Sequence, residues 1–256
     1  MSIKLVFNGR VYFSVAKNLL LDIGFQQIAF TFSHILSGMS RKRSRKLNAD
    51  QEQIVNFAAK GHNLLITGQA GVGKSEVVKC IISDANARGR KIGVICSSGI
   101  ACQVYDRGVA STAHSFYGLM TAELPWQQVI DRSLSNSPVC DCVKAIDLII
   151  WDEASMSSRR IFELVNLLHH DLADDLGHMY PFAGKQLILV GEFLQLQPVP
   201  NMFDEGCYMF ELPLFDHAIS HGFALTKVRR QSEEDREFLN ALSEIRFGEC
   251  SNETEA

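Results

Sequence analysis

Gly68-Gln-Ala-Gly-Val-Gly73-Lys74-Ser75 places three glycines ahead of a lysine and a hydroxyl. Glycines let a backbone turn its N–H groups inward, and such donors, with the positive end of a following helix, suit nucleotide phosphates. In that reading Gly68, Gln69, Ala70, Gly71, Val72 and Gly73 form the cradle, Lys74 reaches the β- and γ-phosphates, and Ser75 ligates magnesium. A second constellation is Asp147-Leu-Ile-Ile-Trp-Asp152-Glu153, an apolar run that ends in two adjacent carboxylates. Asp152 is suited to hold the metal, directly or through water, and Glu153 to polarise the water that attacks the γ-phosphate. The two motifs predict a P-loop ATPase using ATP and Mg2+, and nothing narrower.

Such groups need elements to hold them. Short apolar runs at residues 64–67, 91–96, 147–151, 185–190 and 223–228 suit strands buried on both faces of a parallel sheet. Helix-like stretches lie between them, and Ile161, Leu164, Val165, Leu168 and Leu172 give the clearest apolar stripe. This alternation predicts an α/β fold: a P-loop, doubly wound, mostly parallel sheet with helices on both faces. Residues 121–142 have weak periodicity and take no assignment.

Further motifs follow in order: Leu47-Asn-Ala-Asp-Gln51, Ser97-Ser-Gly-Ile-Ala101, Ser111-Thr-Ala-His-Ser-Phe116, Asp152-Glu-Ala-Ser-Met156, Gly191-Glu-Phe-Leu-Gln195 and Val228-Arg-Arg-Gln231. With these the sequence resembles the Pif1 family of superfamily 1 DNA helicases over residues 47–248, and Pro181-Phe-Ala-Gly184 favours that family over its RecD-like relatives. The resemblance implies a RecA-like lobe and ATP-driven 5′ to 3′ movement on single-stranded DNA. It also implies 5′-tailed duplexes as substrates and roles in repair, recombination and telomere maintenance.

Residue by residue, the resemblance implies that Gln51 contacts adenine, that Gln195 senses the γ-phosphate, and that Arg230 stabilises charge on the transferring phosphate. It sets Ser97, Ser98, Thr112, His114 and Phe116 along the single strand, hydroxyls toward phosphates and rings toward bases. Taken singly, Phe116 also reads as a core residue, His114 as a structural histidine, and Gln51 and Arg230 as surface groups. His169, His170, Asp171 and His178 suggest a metal cluster, but adjacent helical histidines point apart, so a polar face is the better expectation.

The pattern departs from the family at Glu192, where Asp is usual, at Gln197, where Pro is usual, and at Arg229, where Phe is usual. Arg229 therefore competes with Arg230 for the phosphate. The motifs present are those of a first motor lobe, and stepping needs a second lobe to close against it. The expectation is a first lobe that works with a second RecA-like lobe or another chain. The competing reading is a nucleotide- and single-strand-binding module that regulates a complete helicase without unwinding.

Composition agrees with a folded, soluble chain: 256 residues, 46% hydrophobic and 21% charged. The net charge of −4 conceals a basic head, because residues 1–46 carry eight Lys or Arg against Asp22. The other 210 residues hold 17 basic and 28 acidic groups, so DNA contact there needs a local groove and not bulk charge. The head, acid-poor and Ser-containing, resembles a mitochondrial transit segment, while residues 41–46 equally suit a nuclear address or a linker. Gln26, Gln27, Thr31, Ser33 and His34 interrupt its uncharged stretch and argue against a membrane span. A polar tail occupies residues 249–256. Seven scattered cysteines fit a reducing compartment without a zinc module.

Overall fold

In the computed structural model, the described residues are 2–7, 10–16, 47–119, 124–174 and 177–227. The uncharged and basic stretches of the head, Arg229, Arg230 and the tail lie outside them. The chain divides into two units, one containing residues 1–49 and 232–256 and the other residues 50–231. In the first, β1 (Ser2–Phe7) and β2 (Arg10–Ala16) pair as an antiparallel hairpin with Ser2 opposite Ala16.

The second unit is built on a parallel six-stranded sheet, ordered β5-β4-β6-β7-β3-β8. Its central strands are β3 (Leu64–Thr67), β4 (Ile92–Cys96), β6 (Leu148–Asp152) and β7 (Gln186–Gly191), each within a residue of the expected run. Every residue of β3, β6 and β7 is buried, as strands covered on both faces require. Each aliphatic side chain removed from water here contributes about 1.5–3 kcal/mol.

Alternation splits the strands between two layers. Leu64, Ile66, Val94, Leu148, Ile150, Ile188 and Val190 pack with α1 (Ala49–Ala59) and α2 (Lys74–Ala87), through Ile54, Val77, Val78 and Ile81. On the other face, Trp151 meets Phe162 of α7 (Arg159–Asp171), and Phe162 meets Phe182 at a centroid separation of 5.0 Å. Ser158 caps α7 by accepting the Ile161 amide at 3.3 Å, and Ile161, Leu164, Val165 and Leu168 are buried, as their spacing predicts.

The unassigned stretch contains α5 (Trp126–Leu134) and most of α6 (Ser137–Ala145), which follow two very short helices, α3 (Gly99–Cys102) and α4 (Ala113–Phe116). Two strands differ from expectation. β5 (Ala110–Thr112) is a three-residue edge strand too short and polar to register as an apolar run. β8 (His221–Ala224) begins two residues earlier than residues 223–228 suggested, because its register is set by β3, with His221 opposite Leu64 and Ala224 opposite Thr67. Beyond it lies Leu225, whose amide donates to the Thr67 carbonyl at 2.8 Å; α8 (Pro213–Ala218) leads into the strand. No helix among the described residues is long and apolar enough to cross a membrane.

Candidate active site

All six strands run the same way, so their carboxyl ends share one edge, where ligands of open α/β sheets bind. Cys96 stands opposite both Asp152 and Thr112, and Thr67 stands opposite Gly191. The loop after β3, the carboxylates ending β6, the serines after β4 and the residues after β7 therefore converge there.

The glycine loop leaves β3 at Gly68 with φ 143°, and Gly71 and Gly73 also have positive φ. A Cβ at Gly68 would lie 2.3 Å from the Leu225 carbonyl oxygen, so only glycine lets the loop pass β8. Gly73 is the left-handed N-cap of α2, with no side chain capping the helix. Lys74 Nζ turns back to the Gly68 carbonyl and, at 3.2 Å, to that of Gln69. Gln51 is fully buried, and its amide donates to the Val72 carbonyl at 3.2 Å, which braces the loop from α1.

Asp152 is buried at the end of β6. Its Oδ2 accepts from the Tyr105 hydroxyl at 2.6 Å and its Oδ1 from the Glu153 amide at 3.0 Å. Burial pushes the Asp152 carboxyl up, against those two hydrogen bonds and the Lys74 charge, which favour the ionised form. Glu153 sits in the left-handed region at φ 52°. Its carboxyl is raised by burial and then by Asp152, Lys74 opposes, and Glu192 adds to the rise. A carboxylate with a raised pKa beside a second carboxylate is suited to general-base work. Ser75 and Asp152 supply hard oxygen donors of the kind magnesium takes, and the positive-φ loop with the open start of α2 suits phosphate.

The motif after β7 meets the carboxylates from the side. A Cβ at Gly191 would lie 3.0 Å from the Ser155 amide nitrogen, so glycine lets the turn after Asp152 close on β7. Glu192 is buried, and its Oε1 accepts the Leu194 amide at 3.4 Å. Gln195 is exposed beyond it, with its amide donating to the Glu192 carbonyl at 3.1 Å.

On the β4–β5 side the hydroxyls are engaged within the protein. Ser97 Oγ lies 2.7 Å from Ser157 Oγ and accepts from the Trp151 indole at 3.4 Å, while its amide donates to the Asp152 carbonyl at 3.2 Å. Ser98 caps α3, accepting from Ala101, and Thr112 caps α4, accepting from Ser115. His114 is exposed; Phe116 is half-buried against Gly93 and Tyr117. The remaining histidines form no metal-binding cluster among the described residues. His169 is not on a polar face as expected: it is buried, and its Nε2 lies 3.0 Å from the Tyr117 hydroxyl.

Sequence reasoning did not find Tyr105, Tyr117 or Ser157. Their partners are 47, 52 and 60 residues away in the chain, and no local spacing marks such pairs.

A glycine loop on β3, paired carboxylates on β6 and helices on both faces of a parallel sheet define a P-loop fold of the RecA-like type. The chain belongs to the PIF1-like helicase family, whose model matches residues 46–256. It is similar to the ATP-dependent DNA helicase PIF1 of Danio rerio, 29% identical over 214 residues, covering 83% of this chain and 32% of that protein. Among solved structures, the Pif1 helicase from Candida albicans matches with a TM-score of 0.72 and 26% identity, over 82% of this chain and 46% of that one. The Bacteroides Pif1 bound to ssDNA matches at 0.64 and 25%, over 82% and 48%. The chain spans about a third or less of the length of the curated relatives it matches.

Proposed function

We propose that this chain is the nucleotide-binding lobe of a Pif1-type DNA helicase, hydrolysing ATP and coupling the hydrolysis to 5′ to 3′ movement on single-stranded DNA. Lys74 and the glycine loop bind the phosphates, Ser75 and Asp152 hold magnesium, and Glu153 takes the proton of the attacking water. Magnesium, when bound, neutralises phosphate charge that would otherwise repel the nucleophile. Gln195 reads the γ-phosphate, Gln51 borders the adenine, and Arg230 supplies transition-state charge. The single strand runs past Ser97, Ser98, Thr112, His114 and Phe116. A second lobe completes the stepping cycle. Repair, recombination and telomere maintenance are the proposed settings, in the nucleus or mitochondrion to which the basic head directs the chain.

One observation supports the coupling most. Asp152, the metal residue, takes its backbone hydrogen bond from Ser97, the first residue of the DNA motif, while its carboxylate feels Lys74 of the glycine loop. Movement on the DNA side therefore has a short route to the phosphate side. ATP hydrolysis by the full chain with and without a single-stranded oligonucleotide tests the proposal. DNA-stimulated turnover that falls by about 100-fold or more in Lys74→Ala and Glu153→Gln supports it. Strand displacement on 5′-tailed but not 3′-tailed duplexes then establishes polarity. Tight binding of nucleotide and DNA with no turnover favours the regulatory binding module instead.

A further inference from the structure

Tyr105 belongs to no motif that the sequence marks as chemical, yet its hydroxyl makes the shortest side-chain contact to Asp152, at 2.6 Å. The ring is buried in the core layer with Val94, Cys96 and Ala101. Its amide donates to the Cys102 carbonyl, and Val104 donates to Ala101, so Tyr105 closes the helical segment that Ser98 caps. At the other end of the segment, the Ser97 amide donates to the Asp152 backbone carbonyl at 3.2 Å. Residues 97–105 thus grip Asp152 twice, once at its backbone and once at its carboxylate.

A carboxylate offers about four lone-pair sites. Tyr105 and the Glu153 amide each take one, on different oxygens, which fixes the plane of the group and leaves the rest for a cation or its water. Ligands to metals are generally held by such outer hydrogen bonds, and losing one weakens metal binding about 10- to 100-fold. We propose that Tyr105 is a positioning residue for magnesium, orienting the Asp152 carboxylate and tying it to the segment that carries Ser97 and Ser98. The proposal rests on Asp152 as the metal residue.

The test measures binding, not turnover, in the full chain without DNA. Affinity for a fluorescent methylanthraniloyl-ADP is followed as magnesium is raised from an EDTA baseline, for the wild type, Tyr105→Phe and Asp152→Asn. Tyr105→Phe keeps the ring and removes the donor. It is expected to raise the magnesium needed for half-maximal tightening about tenfold, with affinity in EDTA unchanged. A purely structural bond would leave that magnesium midpoint in place. The proposal is overturned if Tyr105→Phe follows the wild-type magnesium curve while Asp152→Asn loses its response. If Asp152→Asn also keeps the wild-type response, the metal reading of Asp152 fails first and takes this one with it. Should Tyr105→Phe not fold, Ser98→Ala loosens the same segment from its other end. A magnesium midpoint shifted in the same direction supports the proposal; a wild-type midpoint overturns it.

Discussion

The two halves of the sheet's carboxyl edge dispose of their polar groups differently. Around β3, β7 and β6, glycines at positive φ or in close approach bring backbones together, and buried side chains such as Gln51, Asp152 and Glu192 brace what they leave. Around β4 and β5, short helices sit on single hydroxyl caps, with His114 exposed and Phe116 half-covered. Close packing resists displacement, whereas one-turn helices held by a cap open at small cost. The half with the glycine loop is therefore a preformed cradle, and the half proposed for DNA is the more compliant surface.

The largest expected effect comes from Gly68→Ala. The new Cβ would meet the Leu225 carbonyl at 2.3 Å, and the loop or β8 must move. A cost of about 3 kcal/mol, or roughly 10 °C in melting temperature, is expected, with loss of nucleotide affinity. Calorimetry with an ADP titration checks it. Unchanged stability and binding would break the picture of a rigid cradle.

Next is acid sensitivity beneath the β4–β5 half, where Tyr117, directly after α4, meets His169 of α7. Burial, then the Lys185 and His170 charges, lower the His169 pKa to about 3. Because the folded pKa lies below the unfolded one, the unfolded chain binds the extra proton. The stability that neutral His169 provides is full above about pH 6.5 and drains away as pH falls toward 3. By pH 5 the loss is about 2 kcal/mol. Denaturant titrations between pH 7 and pH 5 should show this slope, and His169→Gln should flatten it.

That buried pair shows what the sequence could and could not reveal. Strands β3, β4, β6 and β7 were legible because burial on both faces demands continuous apolar runs, and the glycine loop because phosphate chemistry demands a spacing. Ala110–Thr112 carries no such demand, since an edge strand of three residues needs only one neighbour. Helices α5 and α6 stayed hidden because their buried positions are few, Val129, Ile130 and Ser133 in one and Cys140 and Val143 in the other. Tyr105 and His169 acquire their meaning only when distant segments meet. That the hydroxyls of Ser98 and Thr112 cap helices was equally hidden, because a cap is defined by the fold of the residues that follow it.

Thr112→Ala sharpens the comparison at a smaller scale. It removes the cap that accepts the Ser115 amide, at a typical cost of about 1 kcal/mol. On a compliant surface most of that cost appears as local opening, so hydrogen exchange at Ser115 and Phe116 should accelerate by about fivefold, roughly what 1 kcal/mol allows. Affinity for a single-stranded oligonucleotide should fall, while ADP affinity stays at the wild-type value. An equal loss of ADP affinity would mean that the two halves are mechanically one.

The smallest effect belongs to a position outside both halves. Pro181–Gly184 precedes β7, at the opposite edge of the sheet from the site, and Ala183 sits there at φ 53°, ψ 33°. Holding an L-residue in that region costs about 1–2 kcal/mol, and glycine returns part of this through its greater freedom when unfolded. Ala183→Gly should therefore stabilise the lobe by about 0.5–1 kcal/mol. The turn itself is held by Phe182, whose amide donates to Asn166 Oδ1 at 2.7 Å and whose ring packs on Phe162. Those contacts do not involve Ala183, so the gain should come without change in nucleotide or DNA affinity. A stabilised variant with altered affinity at either half would show that strain at the far edge is felt across β7, and that the cradle is less self-contained than its packing implies.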